Sequence, residues 1–168
     1  MRQVIIALGL ITLLSGCGSV LKKLTPGELD HYMALRVWMS DPDMKAYSKL
    51  KTADERNTFL QEKGYWDRFY QYDKKRREQI INGEVAKGWT QDQVYMSWGA
   101  PHVRKRLAGR RAVRSEMFVY RFEVDPEGRV YVWEPNSKQT HYAIDKYQID
   151  LTVDDGLIVE MIRKDGWE

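Results

Sequence analysis

The chain has 168 residues, and its ten tyrosines, six tryptophans and four phenylalanines supply enough apolar surface to build the core of one ordinary domain. Twenty-seven basic residues against 24 acidic ones leave a formal charge of +3, too small to specify a polyanionic partner. A single cysteine excludes a scaffold of intrachain disulfides, so packing alone must hold the fold.

That cysteine, Cys17, closes the run Leu14-Ser15-Gly16-Cys17 after a positive start at Arg2 and an apolar stretch from Val4 to Leu14. The stretch is too short to span a bilayer comfortably and reads as an export signal. The run resembles the lipobox of bacterial lipoproteins. That resemblance implies a signal peptide over 1–16, cleavage between Gly16 and Cys17, and lipid on the Cys17 sulfur and its new amine. Each buried methylene adds about 0.8 kcal/mol of membrane affinity, so two or three acyl chains anchor a chain without a membrane-spanning helix. Residues 17–24 then form a lipidated tether. Gly18 and Ser19, rather than an aspartate, follow the cysteine, which implies the outer membrane with the protein facing the periplasm. Arg2 is the only charged residue of the first sixteen, so the remaining 152 residues carry +2.

Residues 25–82 read as a helical module. Thr25-Pro26-Gly27-Glu28 combines an N-cap, a proline in the first turn and a capping-box glutamate, and Leu29, Tyr32, Met33, Arg36, Val37 and Ser40 follow at helical spacing. Ser40-Asp41-Pro42-Asp43 breaks that helix and starts another, carrying Met44, Tyr47 and Leu50. Thr52-Ala53-Asp54-Glu55 opens a third, with Phe59 and Leu60, ending near Gly64. The pattern from Trp66 through Phe69, Tyr70, Asp73 and Arg77 to Ile81 predicts one further helix, stopped by Asn82-Gly83.

Residues 83–168 change character. Thr90-Gln91-Asp92-Gln93 caps a short helix through Val94, Tyr95 and Trp98 to Gly99, with Pro101 beyond. Strands follow from His102. Ser115 to Val124, Arg129 to Glu134, Thr140 to Val153 and Leu157 to Arg163 are separated by turns at Asp125-Pro126-Glu127-Gly128, Pro135-Asn136-Ser137-Lys138 and Asp154-Asp155-Gly156. The expected fold class is α+β: an N-terminal helical module, then a short helix packed on an antiparallel β-meander of three to five strands. If no helix covers the outer face of that sheet, Tyr120, Tyr131, Trp133 and Tyr142 form an exposed aromatic platform.

Gly88-Trp89-Thr90, Val94, Trp98-Gly99-Ala100-Pro101 and the aromatic strand Phe118-Val119-Tyr120 together resemble the BamE family (also SmpA/OmlA) of small outer-membrane-assembly lipoproteins. The resemblance covers about half of the chain after the signal. It implies two helices on a three-stranded antiparallel sheet and an accessory, non-enzymatic role. Trp89 stands where the family has methionine, Trp98 where it has leucine, the stretch from Ala108 to Ser115 lengthens the first hairpin, and residues 25–82 have no counterpart. The Gly-Trp-x-Thr run also resembles, more weakly, the GWxTD envelope lipoproteins.

Sites for chemistry are few. His31, His102 and His141 lack metal-ligand spacing, and no phosphate loop or nucleophile elbow occurs, so no metal, cofactor or catalytic residue is expected. Ser97 or Ser115 with His102 and Asp145 would be the raw material of a serine hydrolase. Asp125, Glu127, Asp154 and Asp155 lie in turns, where acids shape the backbone. Basic clusters at Lys74-Lys75-Arg76-Arg77 and across Arg104, Lys105, Arg106, Arg110, Arg111 and Arg114 would suit nucleic acid in the cytoplasm; export removes that partner and leaves anionic lipid headgroups or an acidic protein face. The candidate contact residues are Arg104, Arg106, Arg110, Arg111, Tyr120, Trp133 and Tyr142. The expected function is that of an accessory interaction subunit in cell-envelope biogenesis, in outer-membrane protein assembly for choice. The alternative is a periplasmic binding module that tethers peptidoglycan or inhibits a periplasmic enzyme.

Overall fold

The computed structural model describes residues 24–135 and 142–167. The expectations for the signal, for Gly16 and Cys17, for the turn at 136–138 and for His141 lie outside the described residues.

Among them are six α-helices and a five-stranded antiparallel sheet, the expected α+β class. The helical part comprises α1 (Pro26–Leu35), a 3-10 turn (Arg36–Trp38), α2 (Asp41–Tyr47), α3 (Ala53–Glu62), α4 (Tyr65–Tyr70) and α5 (Lys74–Ile81). The short helix α6 (Gln91–Trp98) precedes β1 (Val103–Arg106), β2 (Ser115–Val124), β3 (Val130–Val132), β4 (Asp145–Asp154) and β5 (Leu157–Asp165). No described helix is long and apolar enough to cross a membrane.

The capping boxes predicted at Thr25 with Glu28 and Thr52 with Glu55 form, and the predicted Thr90 cap is a third, with Gln93 returning a bond to the Thr90 N–H. Two helix boundaries differ. The first helix tightens into its 3-10 turn at Arg36, and the single helix expected from Trp66 to Ile81 is two. Asp73 lies between them with extended backbone, and its carboxylate accepts the Arg76 N–H at 2.7 Å. It is an N-cap, although its spacing also fits a continuous helix.

Glu28 ties the module together. Besides capping α1, its carboxylate accepts Arg56 Nε at 2.7 Å, and Arg56 Nη1 donates to the Leu50 carbonyl at 2.8 Å. Both side chains are only 6% exposed. Burial opposes the charge on Glu28, but the hydrogen bonds from Arg56 and Thr25 win and hold its carboxyl below the ordinary glutamate value.

The sheet is not a simple meander. β4 pairs with the full length of β2, from Ser115 opposite Asp154 to Val124 opposite Asp145, and β5 pairs with β4. β1 and β3 share the other edge of β2. β1 lies against Glu116–Val119 and β3 against Phe122–Val124, so the two run in line, end to end. The reason is local: the turn after β2, closed by Asp125, is so tight that β3 must return along the edge that β1 already half fills.

One hydrophobic cluster runs from Tyr32 and Leu35 through Trp89, Val94 and Trp98 to Phe118, Tyr120, Phe122, Leu151 and Ile158. The helical module therefore docks on the sheet through α6. Trp98 contacts Tyr120 and Phe122 edge-on, each at 5.1 Å, and its indole N–H donates to the Gly83 carbonyl at 2.7 Å.

Arg56→Ala leaves a buried carboxylate without its cation, and we expect a loss of about 3–5 kcal/mol in urea unfolding. Because the folded Glu28 carboxyl titrates below its unfolded value, its contribution is present above about pH 4.5 and falls away on acidification. Glu28→Gln should accordingly flatten the acid limb of a stability-versus-pH curve; an unchanged limb would contradict the assignment.

Candidate partner-binding surface

The basic residues gather at the β1 edge and in the loop from 107 to 114, which closes back on the β4–β5 turn. Antiparallel register sets Arg104 and Arg106 on the helix-facing side of β1, opposite Phe118 and Glu116, and Lys105 on the other side. Glu116 organises the first part. Its carboxylate accepts Arg104 Nε at 2.8 Å and Nη2 at 2.6 Å, and Arg114 Nε at 3.0 Å. The Arg104 bonds, with help from Arg114, outweigh burial and hold the Glu116 carboxyl below its ordinary value. Arg104 also lies over the Phe118 ring at 5.2 Å and donates to the Tyr95 hydroxyl at 3.4 Å.

Asp154 organises the second part. It accepts Arg110 Nε at 3.0 Å and Nη2 at 2.8 Å, and the Ser115 hydroxyl as well. Arg110 lowers the Asp154 carboxyl, aided by Ser115. Asp155, whose φ is +47°, accepts the Arg114 N–H at 2.9 Å and pins the loop's end. Lys105, Arg106 and Arg111 are exposed and make no ion pair among the described residues. Arg104 and Arg110 are thus fasteners of the edge. Arg106 and Arg111, with Lys105, are the charges left to meet something else.

The aromatic candidates separate. Tyr120 is fully buried and its hydroxyl donates to the Gly99 carbonyl at 2.9 Å, and Tyr131 is buried with its hydroxyl on Asp125. The expected platform of Tyr120, Tyr131, Trp133 and Tyr142 is therefore corrected. Tyr120 belongs to the helix-facing side with Phe118 and Phe122, whose parity along β2 it shares, and the helices cover that side. Tyr142 is 81% exposed. Trp133 is half-buried in a group that sequence reading did not assemble: it meets His102 at 4.8 Å and Trp167 at 5.2 Å, and Arg121 lies over both indoles, 5.6 and 5.0 Å from their centres. Lys146 lies over Trp167 at 4.6 Å. Burial, with Arg121 nearby, pushes the His102 imidazole down. The Trp167 indole N–H donates to the Phe122 carbonyl at 3.0 Å, which lays that ring against β2. A tryptophan in the polar run Lys164-Asp165-Gly166-Trp167 was the available signal.

Arg36 carries no such signal, being one cation among many. It reaches Glu134 at 2.6 Å, and its guanidinium lies 3.9 Å from where a Cβ on Gly99 would stand. It therefore sits at the gap where β3 ends and β1 begins.

Ser97 donates to the Glu84 carbonyl and Ser115 to Asp154, while His102 faces Trp133, so the described contacts do not join them. Asp125 accepts the backbone N–H groups of Glu127 and Arg129, the Arg129 guanidinium and the Tyr131 hydroxyl; these bonds prevail over burial and lower it to about 2. Among the described residues no cluster of His, Cys, Asp or Glu is placed to hold a metal ion. Compared with protein-family models, curated proteins and solved structures, the chain matches none.

Replacing Lys105, Arg106 and Arg111 by serine should leave unfolding free energy within about 0.5 kcal/mol per site. Arg104→Ala should cost about 1–2 kcal/mol, because Glu116 loses two charge-assisted bonds while Arg114 remains and solvent screens the exposed side. Thermal denaturation of the two variants distinguishes free charges from fasteners.

Proposed function

We propose that the chain is a lipid-anchored, non-enzymatic interaction subunit at the periplasmic face of the outer membrane, serving cell-envelope biogenesis as an accessory to outer-membrane protein assembly. The observation that carries this reading is Cys17, which ends Leu14-Ser15-Gly16-Cys17 behind an apolar stretch and stands eight residues before the Thr25 cap of α1. Eight residues reach at most about 28 Å when extended, so an anchor at Cys17 keeps the folded part close to the bilayer and its partners. Confinement of that kind raises effective concentration without any new contact.

The link to assembly rests on the likeness to BamE. The arrangement described above supports it in detail: Thr90 caps α6, Gly99 ends it with positive φ, and Pro101 turns the chain toward β1 and aromatic β2. Those roles specify architecture. The contact itself is assigned to Lys105, Arg106 and Arg111, the unpaired charges of the β1 edge and its loop, facing an acidic protein surface or anionic lipid headgroups.

Mild crosslinking of native membranes followed by affinity capture tests the reading. Outer-membrane assembly components should co-purify with the chain, be lost with Cys17→Ser, and fall several-fold when Lys105, Arg106 and Arg111 are changed to glutamate. Recovery of cell-wall material or a periplasmic enzyme instead would replace this reading with that of a tether or inhibitor.

A further inference from the structure

The sheet has one edge that is open and not self-repelling. β5 is its last strand, and among the described residues only the beginning of it is covered: Ile158 exchanges backbone hydrogen bonds with Gly88 and Trp89, and Leu157 bridges Thr90. From Val159 to Asp165 no further strand lies beside it among the described residues. Val159 and Ile162 are 40% and 44% exposed, high for apolar residues of a strand.

The direction of the backbone along this edge is fixed. Gly166 donates its N–H to the Lys146 carbonyl at 2.8 Å. Antiparallel ladders alternate, so Lys164, Ile162 and Glu160 also turn their N–H and C=O groups toward β4, and Asp165, Arg163 and Met161 turn theirs outward. Glu160, Ile162 and Lys164 lie together on the sheet face away from Phe118 and Tyr120, opposite Thr152, Asp150 and Gln148; Lys164 is bonded to the buried Asp150 carboxylate and Glu160 accepts the Thr152 hydroxyl at 3.3 Å, each with its outer side still exposed toward the edge.

Four antiparallel self-pairings centred from Met161 to Lys164 let the outward groups meet, and the one centred on Lys164 sets that ammonium against itself and leaves Ile162 opposite Gly166. Centred on Met161, the pairing sets Glu160 against Ile162. Centred on Arg163, it opposes two guanidinium groups. Centred on Ile162, it sets Ile162 against itself, Met161 opposite Arg163 in hydrogen-bonded pairs, and Glu160 opposite Lys164 twice. Only the last joins opposite charges and covers the exposed isoleucine. The β1 edge is excluded from such pairing, because Arg104, Lys105 and Arg106 would face like charges there.

We propose that β5 pairs antiparallel with β5 of a second copy of this chain, with Ile162 opposite Ile162 and two Glu160–Lys164 ion pairs flanking it, to make one continuous ten-stranded sheet. The twofold axis of such a pair stands perpendicular to the sheet. Both helical layers therefore lie on one side of it. The pairing is independent of lipid anchoring and of the identity of any envelope partner.

Sedimentation equilibrium of the full chain carrying Cys17→Ser, in mild detergent, tests this from micromolar to millimolar concentration. A monomer–dimer equilibrium is expected, weakened about tenfold by either of the charge reversals Glu160→Lys and Glu160→Arg, which leave Lys164 on its own Asp150 and set a like charge against it across the axis. In the same background an introduced cysteine is the only thiol; Ile162→Cys should form a disulfide with itself under mild oxidation, and Lys164→Cys, which faces Glu160, should not. A monomer at every concentration, a dimer insensitive to the charge reversals, or equal crosslinking at both positions would overturn the proposal.

Discussion

Trp98 is the residue through which the helical part and the sheet become one body. Its ring wedges against Tyr120 and Phe122, while its N–H reaches back to the Gly83 carbonyl at the end of the helical module. A buried indole must place both its apolar body and its single donor, and few positions do both at once. Here the two demands point in opposite directions, one into the sheet and one toward the chain that leaves α5. Removing such a ring from a core commonly costs about 3–5 kcal/mol, a large share of the 5–15 kcal/mol that a domain of this size holds. The neighbouring Ser97 repeats the arrangement with the Glu84 carbonyl.

What the sequence made legible was local. The capping boxes at Thr25, Thr52 and Thr90 each need only four consecutive residues, so their signal survives without any knowledge of what packs where. Asp73 shows the limit of periodicity. It falls at a helical position and also makes a good N-cap, and the choice between these is settled by burial of Phe69 and Ile80 on either side of the break. The sheet order is a non-local matter. Nothing in the residues of β3 says which edge of β2 it takes; that follows from the tight, Asp125-pinned turn before it. Tyr120 shares the parity of Phe118 and Phe122, so alternation along β2 puts it with them; that the helices bury this face was the non-local part. The unpaired charges Arg106 and Arg111 were legible as basic residues, but their separation from Arg104 and Arg110 depended on Glu116 and Asp154, which lie far away in sequence.

The gap between β3 and β1 shows why the helical part matters to the sheet's edge. Two strands laid end to end along β2 leave an interruption near Val119–Phe122, where His102 donates to the Val119 carbonyl and Trp133 to the Arg121 carbonyl. A break of this kind exposes chain ends that would otherwise fray. On one face His102 and Trp133 close it by meeting edge to face, and on the other Arg36 spans from the 3-10 turn to Glu134. The early end of α1 thus has a purpose: tightening into the 3-10 turn carries Arg36 to the place where a cation can hold the end of β3.

The two outer edges of the sheet are treated in opposite ways by their charges. On β1 all three charged residues are cations, and the acid that neutralises part of them, Glu116, sits inward on β2, leaving the rim positive toward anything that approaches. On β5 both signs occur along the rim, with Glu160 and Lys164 four residues apart and on one face, Lys164 also holding the buried Asp150 of β4. A uniform rim repels its own copy and selects a partner of opposite sign; a rim of both signs is complementary to itself when reversed. The same sheet therefore carries two kinds of recognition, and they do not compete, because β2 and β4 stand between them.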